Sequence, residues 1–262
     1  MNWNGFKGAA KRIDDIDLPK IGAQIGVGED EIHALLDVES AGSGFDGKGR
    51  PKILFERHWF YRLVPDHERA QAAKDGLAVK KWSRATYGKD QYQLLERAMK
   101  IDEEAALKSA SWGLGQVMGF NHKAAGYATI QDMVRAFMAD EEEHLKAMVN
   151  FIKANKLDDE LRRHDWAGFA RGYNGPGYKA NAYDRKLANA YAKWSRIKDT
   201  PYVPGSDEVD APSVRQDKRQ DEAAPSSEAK NNAGKLTLIA GLIAALAVAW
   251  NEVSTWVMGW FQ

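Results

Sequence analysis

A polar stretch at residues 204–235 divides this chain into parts that must fold separately. Residues 204–234 read PGSDEVDAPSVRQDKRQDEAAPSSEAKNNAG, with no aromatic residue and only two isolated valines as large aliphatic side chains. Such a segment cannot bury enough apolar surface to offset the conformational entropy that folding costs. The sequence therefore predicts a flexible linker at 204–235 between a globular domain over 1–203 and a hydrophobic segment over 236–261.

The hydrophobic segment begins with an uncharged run, LTLIAGLIAALAVAW, at residues 236–250. As a helix this run would be about 22 Å long, shorter than the ~30 Å hydrocarbon layer of a membrane. Three tryptophans stand where interfacial anchors are expected: Trp250, Trp256 and Trp260. We expect a C-terminal helix that spans the membrane or lies in its interface. The alternative is a hydrophobic helix docked on the domain.

Composition excludes several classes of chemistry. The chain has no cysteine, so it has no disulfide, zinc–thiolate site or cysteine nucleophile. The histidines never form a His-Glu-x-x-His pair, which argues against a zinc amidase, and we expect no metal or cofactor. The formal net charge is zero, so nucleic acid is not an expected partner. The acidic run at 140–143 is interpreted as the solvated face of a helix.

Hydrophobic periodicity predicts a mainly α-helical domain. The expected helices cover residues 29–40, 92–107, 129–154, 158–172 and 182–197. Turn-forming residues at 45–51 precede a short predicted strand, Lys52–Phe55, which indicates a small β-hairpin after the first of these helices. Trp59, Phe60 and Tyr61 are expected to pack beneath this hairpin.

Glu39 stands out because an acid falls on the apolar face of the first predicted helix. Ile32, Leu35 and Leu36 form one stripe, and Glu39, seven residues after Ile32, continues it. Burial raises the pKa of a carboxyl, and such a group can donate a proton to a glycosidic oxygen near neutral pH. On periodicity alone, a structural role as a helix-end cap or a partner of a buried arginine is equally compatible.

Two further strings contain side chains that suit a carbohydrate groove. SWGLGQVMG, at 111–119, combines small residues with the amide of Gln116 and the ring of Trp112. ARGYNGPGY, at 170–178, is a glycine–proline turn carrying two tyrosines and an asparagine. Hydroxyl, amide and aromatic groups are typical partners of sugars. Either string taken alone is more typical of a tight connection between helices than of a carbohydrate site.

Taken in order, ESAG at 39–42, SWGLGQVMG and GYNGPGY resemble the motifs of goose-type lysozymes and lytic transglycosylases. The phage endolysin N-acetylmuramidase family is more similar still, through LDVESAGSGF at 36–45 and PKILFERHWF at 51–60. The resemblance covers roughly residues 18–197. It implies a lysozyme-like helical fold that cleaves the β-1,4 bond between N-acetylmuramic acid and N-acetylglucosamine.

The resemblance also implies roles for individual residues. Glu39 matches the family's catalytic glutamate, and Gln116 and Tyr173 match positions that line the cleft. Two interpretations stay open for Glu56: a second carboxylate, or a structural ion pair with Arg57 or Arg62, which is the favoured one. The candidate catalytic set is Glu39, Glu56 and Tyr173, and the candidate substrate-binding set is Ser111, Trp112, Gln116, Asn174 and Tyr178.

These observations predict a monomeric endolysin that acts on peptidoglycan glycan strands. Two alternatives stay open: a lytic transglycosylase that forms 1,6-anhydro ends, and a non-catalytic wall-binding protein. Residues 1–7 do not show the pattern of a secretory signal peptide, and Lys230 and Lys235 precede the hydrophobic run. We therefore expect the protein at the host inner membrane, with its catalytic domain in the cytoplasm until lysis.

Overall fold

The computed structural model describes residues 3–39 and 42–203. The predicted linker and C-terminal helix, at 204–261, lie outside the described residues. In the described part, no helix is long and apolar enough to cross a membrane. In chain order the helices are α1 (Asp17–Ala23), α2 (Glu29–Glu39), α3 (Arg57–Leu63), α4 (Asp66–Lys74), α5 (Gln91–Met99), α6 (Glu103–Lys108), α7 (Ile130–Ala139), α8 (Glu141–Ala154), α9 (Asp158–Arg162), α10 (Trp166–Asn174) and α11 (Tyr183–Trp194). The strands are β1 (Ile53–Phe55), β2 (Ala110–Trp112) and β3 (Val117–Met118).

The helices and strands belong to two compact units. The first is formed by the residues up to Lys11 together with Ser43–Phe151, and the second by Arg12–Gly42 together with the residues from Ile152 onward. The mainly helical class predicted from periodicity is confirmed for the described domain.

The β structure of the first unit is larger than the hairpin we predicted. Phe45 and Pro51 form only a single bridge, and β1 pairs instead with β2, with Ile53 opposite Trp112. A second antiparallel pairing joins β2 to β3, so the sheet has three strands in the order β1-β2-β3. The string at 111–119 is therefore itself a hairpin. Local turn signals could not reveal the pairing of β1 with a strand so distant in sequence.

The N-terminal segment contributes to the core of the first unit. Phe6 is 1 % exposed and lies in the same cluster as Phe60 and Trp112. Its ring centroid is 5.4 Å from that of Trp3 and 5.0 Å from that of Tyr92. Aromatic pairs at such distances stabilise a core beyond the area they bury. Residues near the N-terminus thus belong to the folded unit.

Three of the predicted long helices are each split in two. The helix predicted at 92–107 is interrupted at Asp102, whose side chain accepts a hydrogen bond from the Ala105 N–H and so starts a new helix. The helix predicted at 158–172 is interrupted where His164 has a φ of 55°. Asp165 then accepts from the Gly168 N–H and begins α10. Asp102 and Asp165, which we predicted to lie inside helices, are therefore N-caps in the structure.

The break in the helix predicted at 129–154 has a tertiary cause. Asp140 is extended, with φ −153° and ψ 136°, and forms a parallel bridge with Lys11. The Asp140 side chain then accepts from the Glu142 N–H. The acidic run is accordingly not one solvated face, because Glu141 is buried and accepts hydrogen bonds from Ser43 and Gly44. Our interpretation of that run was wrong for Glu141.

The second unit is a helical cluster in which α2 packs on α1 and α11, and α10 packs on α11. The apolar stripe of α2 is buried as predicted, with Ile32 and Leu35 fully covered. On the same helix, the His33 ring stacks on that of Trp194 at a centroid distance of 3.7 Å. The helix ends at Glu39 in the described residues.

Candidate active site

Glu39 occupies the last position of α2 and is buried. Its exposed fraction is 6 %, comparable to that of Leu36 on the same helix. The 3.6-residue period that places Ile32 and Leu35 in the core turns the Glu39 side chain the same way. The acid therefore lies inside the second unit because of its register on the helix.

One oxygen of the Glu39 carboxyl is held by an amide. The Nδ2 of Asn174 donates to Glu39 Oε1 at 3.1 Å, and Asn174 is itself 2 % exposed. Asn174 is the last residue of α10, which ends where Gly175 adopts a φ of 78° that favours glycine. Among the described residues, Glu39 Oε2 has no hydrogen-bond partner.

Burial raises the pKa of Glu39 to about 7. Desolvation is the largest cause, since it disfavours the charged form, while the Asn174 hydrogen bond and the charge of Lys186 act in the opposite direction. Lys186 lies on α11, and burial in turn lowers its own pKa. A carboxyl with this pKa is protonated in a substantial fraction of molecules at neutral pH. The group can therefore act as an acid.

Two buried tyrosines, Tyr173 and Tyr183, interact with the carboxyl. Tyr173 is 8 % exposed, with its ring stacked on Phe169 at 5.2 Å, and Tyr178 and Tyr183 are buried too. Burial, followed by the charge of Glu39, raises the pKa of both Tyr173 and Tyr183. Their hydroxyls remain protonated at neutral pH. The structure thus brings Glu39, Tyr173 and Asn174 together in one unit.

The β2–β3 hairpin of the first unit, which carries Gln116, forms side-chain hydrogen bonds within itself. Ser111 Oγ donates to Gln116 Oε1 at 2.8 Å, and Gln116 Nε2 donates to the Gly113 carbonyl at 2.8 Å. Gln116 also has a φ of 46°. Trp112 is fully buried, and its indole N–H donates to the Leu107 carbonyl at 3.0 Å. The structure gives Trp112 a place in the core and Gln116 one in the turn between β2 and β3.

Glu56, also in the first unit, is paired differently from our expectation. Tyr87 donates its hydroxyl to Glu56 Oε1 at 2.8 Å, and His58 Nδ1 lies 3.3 Å from Glu56 Oε2. The predicted arginine partners bind elsewhere in the described residues. Arg57 donates to the Gly76 carbonyl, and the Arg62 guanidinium lies 4.8 Å from the centre of the Trp59 ring. Glu56 is therefore held by a tyrosine and a histidine.

A family model decides the classification. The model of the Muramidase family, described as N-acetylmuramidase, matches residues 29–195. The chain belongs to the N-acetylmuramidase family. It is accordingly a peptidoglycan-cleaving enzyme.

One solved structure extends this classification. The chain is similar to the crystal structure of a Burkholderia AP3 phage endolysin, with a TM-score of 0.64 and 38% sequence identity. The alignment covers 71% of this chain and 73% of the endolysin chain. No curated protein matches.

Two residues that interact with Glu39 in this muramidase were not predicted from the sequence. Tyr183 and Lys186 lie one turn apart on α11, and each interacts electrostatically with Glu39. Neither residue belongs to a recognisable motif. The periodicity of an amphipathic helix also does not predict which of its polar residues will lie near an acid on another helix. Among the described residues, no group of three or more metal-ligating side chains lies together.

Proposed function

We propose that the chain is a phage endolysin that hydrolyses the β-1,4 bond between N-acetylmuramic acid and N-acetylglucosamine, with Glu39 as the general acid. The observation that carries the proposal is the state of the Glu39 carboxyl. It is buried, its pKa is raised to about 7, one oxygen accepts from Asn174, and the other has no partner among the described residues. Membership of the N-acetylmuramidase family supports cleavage of this bond, and the similarity to a phage endolysin supports a role in host cell lysis.

The proton to be donated resides on Glu39 Oε2. Asn174 Nδ2 is a donor, so the oxygen it contacts must accept, and the acidic proton is directed to the other oxygen. Transfer of that proton to the glycosidic oxygen breaks the bond to the leaving sugar as an oxocarbenium-like centre develops, and water then adds to that centre and loses a proton to give the reducing end. The resulting Glu39 carboxylate is stabilised by the Asn174 hydrogen bond and by the positive charge of Lys186.

Tyr173 and Asn174 take supporting roles in this scheme. Asn174 donates a hydrogen bond to the carboxyl, Tyr173 interacts with it electrostatically, and both residues are buried, so we assign both to holding the acid in place. Ser111, Gln116 and Tyr178 remain proposed substrate-binding residues. The packing of Trp112 in the core leaves it out of that set.

Mass spectrometry of digested sacculi tests the proposal. We expect wild-type protein to release muropeptides with reducing N-acetylmuramic acid ends, and Glu39→Gln to release none. An amide cannot donate the required proton, and loss of general acid catalysis typically costs about 10²–10⁴ in rate. Products with 1,6-anhydro ends would instead identify a lytic transglycosylase. Binding to sacculi without any release by the wild type would indicate a non-catalytic wall-binding protein.

We further propose that residues 236–261 hold the enzyme at the host inner membrane as a monomer until lysis. This proposal is supported by the uncharged run and by the following tryptophans, Trp250, Trp256 and Trp260. The lysines before the run favour a cytoplasmic domain, so access to the wall requires a breached membrane or release of residues 236–261 from it. Fractionation of cells that express the full-length chain tests this arrangement.

A further inference from the structure

The segment that joins α4 to α5 in the first unit combines a tryptophan with several positive charges. Residues 79–89, VKKWSRATYGK, include four basic side chains and no acidic one. Lys80, Lys81 and Arg84 are exposed, whereas the Trp82 side chain is half-buried. The Arg84 guanidinium carbon lies 5.4 Å from the centre of the Trp82 ring. An aromatic ring and cations are therefore presented together, and the acid site in the second unit does not use them.

A chain of hydrogen bonds orients the tryptophan. Trp82 Nε1 donates to the Tyr87 hydroxyl at 3.0 Å, and that hydroxyl donates to Glu56 Oε1 at 2.8 Å. Glu56 is 2 % exposed, and His58 Nδ1 lies 3.3 Å from its other oxygen. Burial, the charge of Glu56 and the hydrogen bond to it raise the pKa of Tyr87, so the hydroxyl keeps its proton. The buried carboxyl thus fixes a half-buried indole through one tyrosine.

The backbone of the segment is also tied to the sheet. Gln91 Nε2 donates to the carbonyls of Thr86 and Lys89, both at 2.9 Å. The same side chain accepts from the N–H of Phe55 in β1 at 3.1 Å. One glutamine therefore joins the end of the segment to a strand. A pre-ordered segment loses less conformational entropy when it binds a ligand.

We propose that the segment at residues 79–89 is a subsite for the peptidoglycan strand, in which Trp82 stacks on a sugar ring and the basic residues bind stem-peptide carboxylates. The inference rests on the proposed function, because it takes the substrate from there. An indole offers a rigid apolar face, and its N–H is already bonded to Tyr87, so the ring can cover the apolar face of a pyranose without leaving a polar group unpaired. The carboxylates of stem peptides complement the charge of the segment.

This subsite gives Glu56 a positioning role. Glu56 Oε1 accepts the hydrogen bond of Tyr87, and His58 Nδ1 lies 3.3 Å from Glu56 Oε2, so these two side chains hold the carboxyl in place. Glu56 then acts on the substrate through Tyr87 and Trp82. Loss of this connection should raise KM and weaken wall binding while kcat is retained.

Co-sedimentation with purified sacculi measures the proposed binding without catalysis. Every variant is made in the full chain in the Glu39→Gln background, with the same detergent present throughout. We expect Trp82→Ala to weaken binding about tenfold, within the range of one aromatic contact, both to intact sacculi and to glycan strands stripped of their peptides. Lys80→Gln combined with Lys81→Gln should weaken binding to intact sacculi only, and less so at high salt.

Tyr87→Phe tests the hydrogen-bond chain and has a matched control. It removes the hydroxyl that joins Trp82 to Glu56, and we expect several-fold weaker binding and, in the active enzyme, a higher KM with an unchanged kcat. Tyr127→Phe breaks a comparable bond, from the Tyr127 hydroxyl to Glu143 Oε2 at 3.0 Å, outside the segment. That control should bind as the parent does. Circular dichroism and thermal melts verify that each variant is folded.

The outcomes separate the possible failures. Folded Trp82→Ala that binds within twofold of the parent, or Tyr87→Phe that behaves as Tyr127→Phe does, would overturn the subsite. If Glu56→Gln abolishes kcat yet leaves binding intact, Glu56 is the second carboxylate and its positioning role is refuted. If the variants bind as expected but wild-type protein releases no muropeptides, the subsite stands and the proposed catalytic function fails.

Discussion

The Glu39→Gln variant should be more stable than the wild type at neutral and alkaline pH, and equally stable at acidic pH. The folded protein raises the pKa of this carboxyl from 4.5 to about 7. Folding therefore favours the protonated form. The wild-type free energy of unfolding falls as the pH rises from about 4.5 to about 7, because an ionised carboxylate must then be kept in a desolvated site. Below this window Glu39 is protonated both folded and unfolded and costs nothing.

The size of the effect follows from the shift in pKa. One pKa unit corresponds to 1.36 kcal/mol, so the rise from 4.5 to about 7 corresponds to roughly 3 kcal/mol. Glutamine is nearly isosteric and does not titrate, and its carbonyl oxygen can still accept from Asn174. We expect the variant and the wild type to be similarly stable at pH 4. At pH 8 the variant should be the more stable by roughly 3 kcal/mol.

Urea unfolding at five pH values from 4 to 8 measures this difference. Glu96→Gln, at an exposed position of α5, controls for the change from carboxyl to amide, and surface changes of this kind are usually within about 0.5 kcal/mol. A stability difference for Glu39→Gln that stays constant across the series would refute the reasoning. Glu39 would then not be a buried acid with a raised pKa, whatever the variant does to activity.

Three further expectations concern the acid's partner, the N-terminal segment and the tail. Asn174→Leu removes a hydrogen bond that lowers the pKa of Glu39, so the alkaline limb of the pH–activity profile should move to higher pH; an unmoved limb would contradict the role of the amide. Phe6→Ala should cost about 3–5 kcal/mol in urea unfolding, while activity per folded molecule is unchanged. Full-length protein in a Gram-negative cell without a pore-former should pellet with membranes and leave the culture intact, whereas a chain ending at Pro204 should be soluble. Full-length protein wholly in the soluble fraction would refute the anchor.

The acid could be predicted from the sequence because the relevant information is local. Glu39 shares a helix with Ile32 and Leu35, and one period relates all three, so burial of the stripe implies burial of the acid. Asn174 and Tyr173 were found because they stand in a recognisable string. The contact between Asn174 and Glu39 was not predicted, since it depends on how α10 packs within the second unit.

Longer-range features could not be predicted in the same way. The strand that pairs with β1 is β2, and four helices separate the two strands in the sequence. Trp3 and Phe6 pack in the core of the first unit, and nothing in the sequence around them predicts that contact. The helix breaks at Asp102 and Asp165 are local, yet a capping aspartate and a solvent-facing one look alike within a charged helix. The role of Asp140 depends on Lys11, which periodicity does not connect to it.

The two glutamates that the sequence singled out differ in their partners more than in their burial. Glu39 is 6 % exposed and Glu56 2 %, so desolvation alone cannot assign their chemistry. Glu56 has a hydroxyl donor on one oxygen and a ring nitrogen near the other, and these contacts favour a fixed acceptor. Glu39 has one amide donor and one oxygen without a partner in the described residues, which leaves a site for a transferable proton. Donating a proton and positioning a neighbouring side chain thus require opposite hydrogen-bonding environments, and each glutamate has the environment that its proposed role needs.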